Sequence, residues 1–241
     1  GAFYESGNSS GKHTITANAG MNRFVWDLRY PDAVKVQGIK SGTFYSRKGP
    51  KVAPGMYKVI LKAGDKTLSQ DLEVRTDPRI QATPDDFTQR LVMLKKIHND
   101  LNTVNRAINQ IESVHHQVDD ILKKYQSVAG AGSLKETGKV LTDSLDSIET
   151  NMIQKHITTD EDVLRYPVKL HTKISALGVT VGNSYARPTT GMEQVFDHLD
   201  THLHEQLNRL NHILNTQVPS FNQAVQSIGV GHPVYVKATS R

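Results

Sequence analysis

Near Pro78 the apolar residues of this chain stop alternating and begin to recur every three or four positions, so a strand-patterned part precedes a helical one. Phe24, Trp26 and Leu28 fall on one face of a strand expected over Arg23 to Arg29, because successive strand side chains point to opposite faces. His13 to Ala17 reads as an earlier strand, with Asn18-Ala19-Gly20 as the turn between the two. Pro31 closes the second strand, and the glycine-rich, basic run from Gly38 to Pro54 reads as a long loop. Beyond Pro54-Gly55, Tyr57, Val59 and Leu61 face one way, and Ala63-Gly64-Asp65-Lys66 turns the chain into a strand over Thr67 to Val74. This pattern predicts an antiparallel, immunoglobulin-like β-sandwich over residues 1–78.

The helical part opens with Thr83-Pro84-Asp85-Asp86, a capping residue, a proline suited to the first helical position and two acids for the positive helix end. The apolar stripe from Phe87 to Tyr125 predicts a helix of about 40 residues, about 60 Å long. Gly130-Ala131-Gly132 breaks it, and Ser133 with Glu136 reads as a capping box for a second helix whose inner face carries Leu134, Leu141, Leu145, Ile148 and Met152. Leu170, Ile174, Leu177 and Val181 mark a shorter third helix, stopped at Gly182-Asn183. Thr190 and Glu193 read as the cap of a long fourth helix running from Met192 to Ile228, bent or interrupted at Pro219.

The expected fold class is therefore α+β in separate modules, with an elongated antiparallel four-helix bundle over residues 84–229 following the sandwich. Leu101, Ile108, Leu145, Leu203 and Leu210 are expected in the bundle core. Thr76 to Pro84 serves as the linker, and residues 230–241 form an extended tail in which Val234-Tyr235-Val236 is a short apolar strand.

The net charge of +5 is not a nucleic-acid signature once it is divided along the chain. Residues 1–78 carry 12 Lys and Arg against 7 Asp and Glu, residues 79–241 carry 17 against 17, and no basic run tracks a phosphate backbone. The absence of cysteine excludes disulfides, thiolate catalysis and cysteine-ligated zinc. No stretch reaches the roughly 20 apolar residues of a membrane span. The Gly- and Ser-rich start through Gly11 reads as a chain entered midway.

Candidate chemistry is sparse. His198 and His202, at i and i+4 with Glu205 a turn further, have a spacing that can hold zinc. The Glu that a helical zinc protease needs directly after its first His is here Leu199, so no metal site and no cofactor are expected. His98 and His115 fall on the apolar stripe and read as core residues. Trp26 alternates with Phe24 and Leu28 as a core residue does, which leaves Tyr30, Phe44 and Tyr45 as the aromatic candidates for stacking on a sugar or other ligand. Asp27 and Arg29 suit a cross-strand pair rather than catalysis, and neither a Gly-x-Ser-x-Gly elbow nor a P-loop occurs. No catalytic residue is expected in this chain.

Four segments together carry a family resemblance: Asn22 to Pro31, Ala53-Pro54-Gly55-Met56-Tyr57, Thr76-Asp77-Pro78-Arg79, and Asp162 to Leu170. They resemble the C-terminal region of bacterial sortilin-like, BNR-repeat β-propeller proteins, many of which carry the label glycosyl hydrolase. The strand part is also similar to the immunoglobulin-like module of flagellar hook-capping proteins, which shares a Trp-Asp followed by Pro-Gly-x-Tyr. The resemblance implies an upstream β-propeller of the same chain as partner, an extracytoplasmic location and a non-catalytic accessory role as structural or protein-interaction scaffold. The helices are then free for a protein partner or self-association. The Asp-box repeats of such a propeller do not occur in these residues. Two alternatives stand beside that role. One is a glycoside-hydrolase site made mostly by the propeller and completed by acids such as Asp160, Glu161 or Asp162. The other is a carbohydrate-binding module using Tyr30, Phe44 and Tyr45.

Overall fold

The computed structural model describes residues 17–38, 45–128, 131–229 and 233–236. Two strands, β1 (Gly55–Ala63) and β2 (Lys66–Val74), precede four helices, α1 (Pro84–Lys124), α2 (Ala131–Met152), α3 (Leu170–Gly182) and α4 (Thr190–Ser227). A 3-10 helix at Asp160–Leu164 lies between α2 and α3. The start of α1 follows from its local chemistry: Thr83 Oγ1 accepts from the Asp86 backbone N–H at 3.2 Å, and the Asp86 carboxylate accepts from the Thr83 N–H at 2.9 Å. This reciprocal cap satisfies two donors that would otherwise be orphaned at the helix end. The cap of α4 is Thr189, one residue before the expected Thr190, and accepts from the Met192 N–H. Helix α2 begins at Ala131, so Ser133 lies inside the helix and does not cap it.

The helices are arranged as three rods. Lys96 meets Phe196 and Asp100 meets Asp200, and Asp85 at the start of α1 pairs with Arg187 just before α4, so the two long helices run parallel. Helix α2 opposes both: Gly138 sits against Leu122 and Phe221, His115 meets Asp146, and Arg209 reaches Ser147. Helix α3 runs the same way as α2, with Gly178 against Ile97 and Gly182 near Leu94. At 1.5 Å per residue α2 and α3 together span about 50 Å, close to the length of either long helix. They act as one broken middle rod in an up-down-up bundle, which corrects the expected antiparallel four-helix arrangement. The core predicted from the stripes is in place, with Leu101, Ile108, Leu145, Leu203 and Leu210 each buried.

The expected β-sandwich is not formed. Among the described residues the only sheet is the β1–β2 hairpin, in which Gly55 pairs with Val74 and Ala63 with Lys66, and Gly64 takes φ +57 in the turn. The strand expected over Arg23 to Arg29 is absent because Leu28 adopts φ +60, which breaks the pleat that Phe24, Trp26 and Leu28 would have shared. The segment 28–33 instead forms an irregular ribbon with 47–52, through Val52 N–H to Leu28 O, Tyr30 N–H to Pro50 O and Ala33 N–H to Arg47 O. Pro31 and Pro50 have no N–H to give, so the ladder cannot become regular. Gly49 is required there: a Cβ would lie 1.9 Å from the Tyr30 carbonyl oxygen. Most of the strand expected at His13 to Ala17 lies outside the described residues.

Past the ribbon the chain lies down on the helices. Ala33 and Val36 are buried in the same apolar cluster as Leu101 and Ile108, so the hydrophobic core continues across the position expected to separate the modules. A ladder of asparagines on α1 grips the extended backbone. Asn102 Oδ1 accepts from the Val34 N–H, Asn105 donates to the Val34 carbonyl, and Asn109 accepts from the Gln37 N–H and donates to the Lys35 carbonyl. On α3, Ser175 exchanges two hydrogen bonds with the Ser46 backbone. The far end is held in the same way. Asn222 exchanges two bonds with the Val234 backbone and Gln117 two with Tyr235, so Val234 to Val236 forms no strand and lies against α1 and α4.

Candidate functional site

Of the aromatic residues chosen from the sequence, Tyr30 and Tyr45 have different surroundings. Tyr30 lines an open cleft of about 740 Å³ between residues 30–37 and α1, and Lys95 Nζ stands 4.5 Å from the centre of its ring. Tyr45 points into the fold, its ring stacked on His171 at 4.2 Å and its hydroxyl accepting from Asn105. Burial pushes its phenol upward in pKa. Phe44 lies outside the described residues. Trp26 is half-buried, donates to the Arg29 carbonyl and packs edge-on against Tyr57 at 5.7 Å. Asp27 accepts from the Arg29 N–H and makes no cross-strand pair there, while Arg29 reaches back to the Gly49 carbonyl.

Of the acids proposed to reach over a propeller, Asp162 is engaged by its own turn. Asp162 accepts from the backbone N–H groups of Thr158 and Thr159 and from the Thr158 hydroxyl. Those bonds hold its carboxyl down at about 2, unsuited to donating a proton near neutrality. Glu161 is exposed. His198 is exposed and His202 half-buried. Among the described residues neither joins a group of three potential metal ligands.

Three polar features were not legible as sites. The cleft beside Tyr30 gathers Lys35, Arg47, Lys95 and Arg106, with Asp32 as its acid, and Asp32 already accepts from the Gly49 N–H. Between α1 and α4, Asp100 faces Asp200, which lies 3.3 Å from His204 Nδ1. Burial, then the charge of Asp200, pushes the Asp100 carboxyl up to about 7.

The third feature joins α1 and α2. Lys155 Nζ lies 2.6 Å from Glu149 Oε2 and 2.9 Å from Glu112 Oε1, and His115 Nε2 lies 3.5 Å from Asp146 Oδ1. Burial, then hydrogen bonding with Glu112, raises the Glu149 carboxyl, while burial lowers the His115 imidazole. The sequence signal was available. Glu149 follows Leu145 and Ile148 and precedes Met152 on the inward face of α2, where a charged side chain needs a partner.

The least expected surface is the hairpin. Register places Tyr57, Val59 and Leu61 opposite Leu72, Gln70 and Leu68 on one face, and Lys58 opposite Asp71 on the other, with a 3.2 Å ion pair. Yet Val59 and Leu61 are each 50% exposed, Leu68 65% and Leu72 37%. Neither strand packs on any helix. Trp26 covers only the Tyr57 end.

Comparison with protein-family models, with curated proteins and with solved structures returned no match. Among the described residues no helix is long and apolar enough to cross a membrane.

Proposed function

We propose that this chain is a non-catalytic accessory region, a structural and protein-interaction scaffold, in which the helical bundle carries a hairpin arm that docks on a β-rich neighbouring domain. The observation that carries this reading is the open apolar face of β1 and β2. A two-stranded hairpin is marginal by itself, and an exposed apolar face is built to be covered. The occupant is inferred from the chemistry of the arm. Among the described residues neither strand pairs along its outer edge, and one face carries Tyr57, Val59, Leu61, Leu68 and Leu72, which suits packing or pairing with another sheet. The resemblance carried by Asn22 to Pro31 and Ala53 to Tyr57 points the same way, toward an upstream β-propeller in an extracytoplasmic protein.

A photo-crosslinking residue at Leu61, in the polypeptide that carries the upstream domain, tests this. We expect intramolecular crosslinks to a β-rich domain, and far fewer from the same probe at Lys58 on the opposite face. Equal crosslinking from both faces contradicts the docking role.

A further inference from the structure

The geometry points to a divalent transition-metal site at His115, Asp146 and Glu149, a zinc-class clip that ties α1 to α2. One ligand atom from each of the three lies within 4.8 Å of the others, the only such group of His, Asp and Glu among the described residues. The separation of 3.5 Å between His115 Nε2 and Asp146 Oδ1 matches the spacing of about 3.3 Å between ligands on a tetrahedral ion with bonds of about 2.0–2.1 Å. Separations of up to 4.8 Å close onto one ion with side-chain movements of up to about 1.5 Å.

A second observation sets this group apart from an ordinary acidic cluster. Glu149 is 0% exposed, and its Oε1 is buried with no hydrogen-bond partner. His115 Nε2 is also buried with no hydrogen-bond partner. Buried polar atoms are nearly always satisfied, and two unsatisfied ones on residues of a single group of potential ligands suit a shared ion. The surrounding charges suit a cation. Lys155 holds Glu149 Oε2, the kind of outer contact that orients a ligating carboxylate. Glu112 takes the same ammonium, and Asp119 adds a further negative charge near His115. Four carboxyl groups therefore surround one ammonium and one imidazole. One nitrogen and two carboxylate oxygens form a donor set suited to zinc, with the fourth position left to water.

The test is calorimetric titration of the whole chain with Zn²⁺, paired with Co²⁺ titration read by visible absorption. We expect one equivalent to bind, with a tetrahedral Co²⁺ band and a rise in melting temperature. Asp146→Asn, at an exposed position, and His115→Ala should each weaken binding at least about tenfold. Glu149→Gln, which keeps the side-chain shape, should do the same with unchanged circular dichroism. His198→Ala/His202→Ala should leave binding intact. Zinc binding that survives Asp146→Asn and His115→Ala, or that disappears with the His198/His202 pair, overturns the assignment. So does the absence of stoichiometric binding.

Discussion

The ring of Tyr45 lies stacked on that of His171, centroids 4.2 Å apart and planes inclined by 25°, with the imidazole fully buried beneath it. This contact fastens the chain just ahead of the second ribbon segment to α3, and it makes the fold sensitive to acid. Burial depresses the His171 pKa to about 4, against about 6.5 in the unfolded chain. The neutral ring therefore supports the fold fully above about pH 6.5, and that support is lost as pH falls through about 4. Urea unfolding from pH 8 to pH 4 should show wild type losing stability over this window more steeply than His171→Gln, while Tyr45→Phe keeps the wild-type slope. Parallel curves for wild type and His171→Gln would remove this residue from the acid response.

Asp100 gives the opposite dependence. Its folded pKa is raised to about 7, so the protonated form favours the fold, and stability is lost as pH climbs from about 4 through 7. Asp100→Asn should be more stable than wild type at pH 8 and indistinguishable from it near pH 4. A variant that is destabilised at pH 8 would show that Asp100 is held as a paired carboxylate.

The asparagine ladder carries its own prediction. Asn105→Ala removes the donor to the Val34 carbonyl and to the Tyr45 hydroxyl at a fully buried position, and should cost about 1–3 kcal/mol in chemical denaturation. Asn99→Ala, on the exposed side of the same helix, should change stability by less than about 0.5 kcal/mol. Early proteolytic cleavage between residues 29 and 50 in Asn105→Ala alone would place the loss at the ribbon.

Gly49→Ala should be more damaging locally, since its Cβ would collide with the Tyr30 carbonyl at 1.9 Å. The expected outcome is a native far-ultraviolet helix signal with faster hydrogen exchange at the Tyr30 and Val52 amides. Wild-type exchange at both would mean that the ribbon has another way to close.

What was legible in the sequence is what local chemistry decides. Thr83 and Asp86 state the start of α1, and the leucine and isoleucine stripes state which helix faces are buried. The direction of α3 was not legible. Short connections around Gly130 and after Asn183 force a reversal, but the long connection from Ile153 to Lys169 lets the chain cross back, so the stripe on α3 fits either direction. The sandwich failed for a related reason. Alternation at Tyr57, Val59 and Leu61 shows that one face is apolar and says nothing of what covers it, and no propensity predicts that Leu28 will turn left-handed. The His115, Asp146 and Glu149 group was hidden because its members sit on two helices, where spacing along one stripe cannot bring them together.

The docking of the hairpin is the claim on which the functional account stands, and hydrogen exchange at the amides of Lys58 to Leu61 and Leu68 to Leu72 measures it directly. In this chain alone those amides should exchange early, at the low-stability end of the molecule, while α1 amides such as Ile108 stay protected. In the polypeptide that carries the β-rich neighbour they should become protected together. Equal protection with and without that neighbour would contradict the account, because the hairpin would then need no partner.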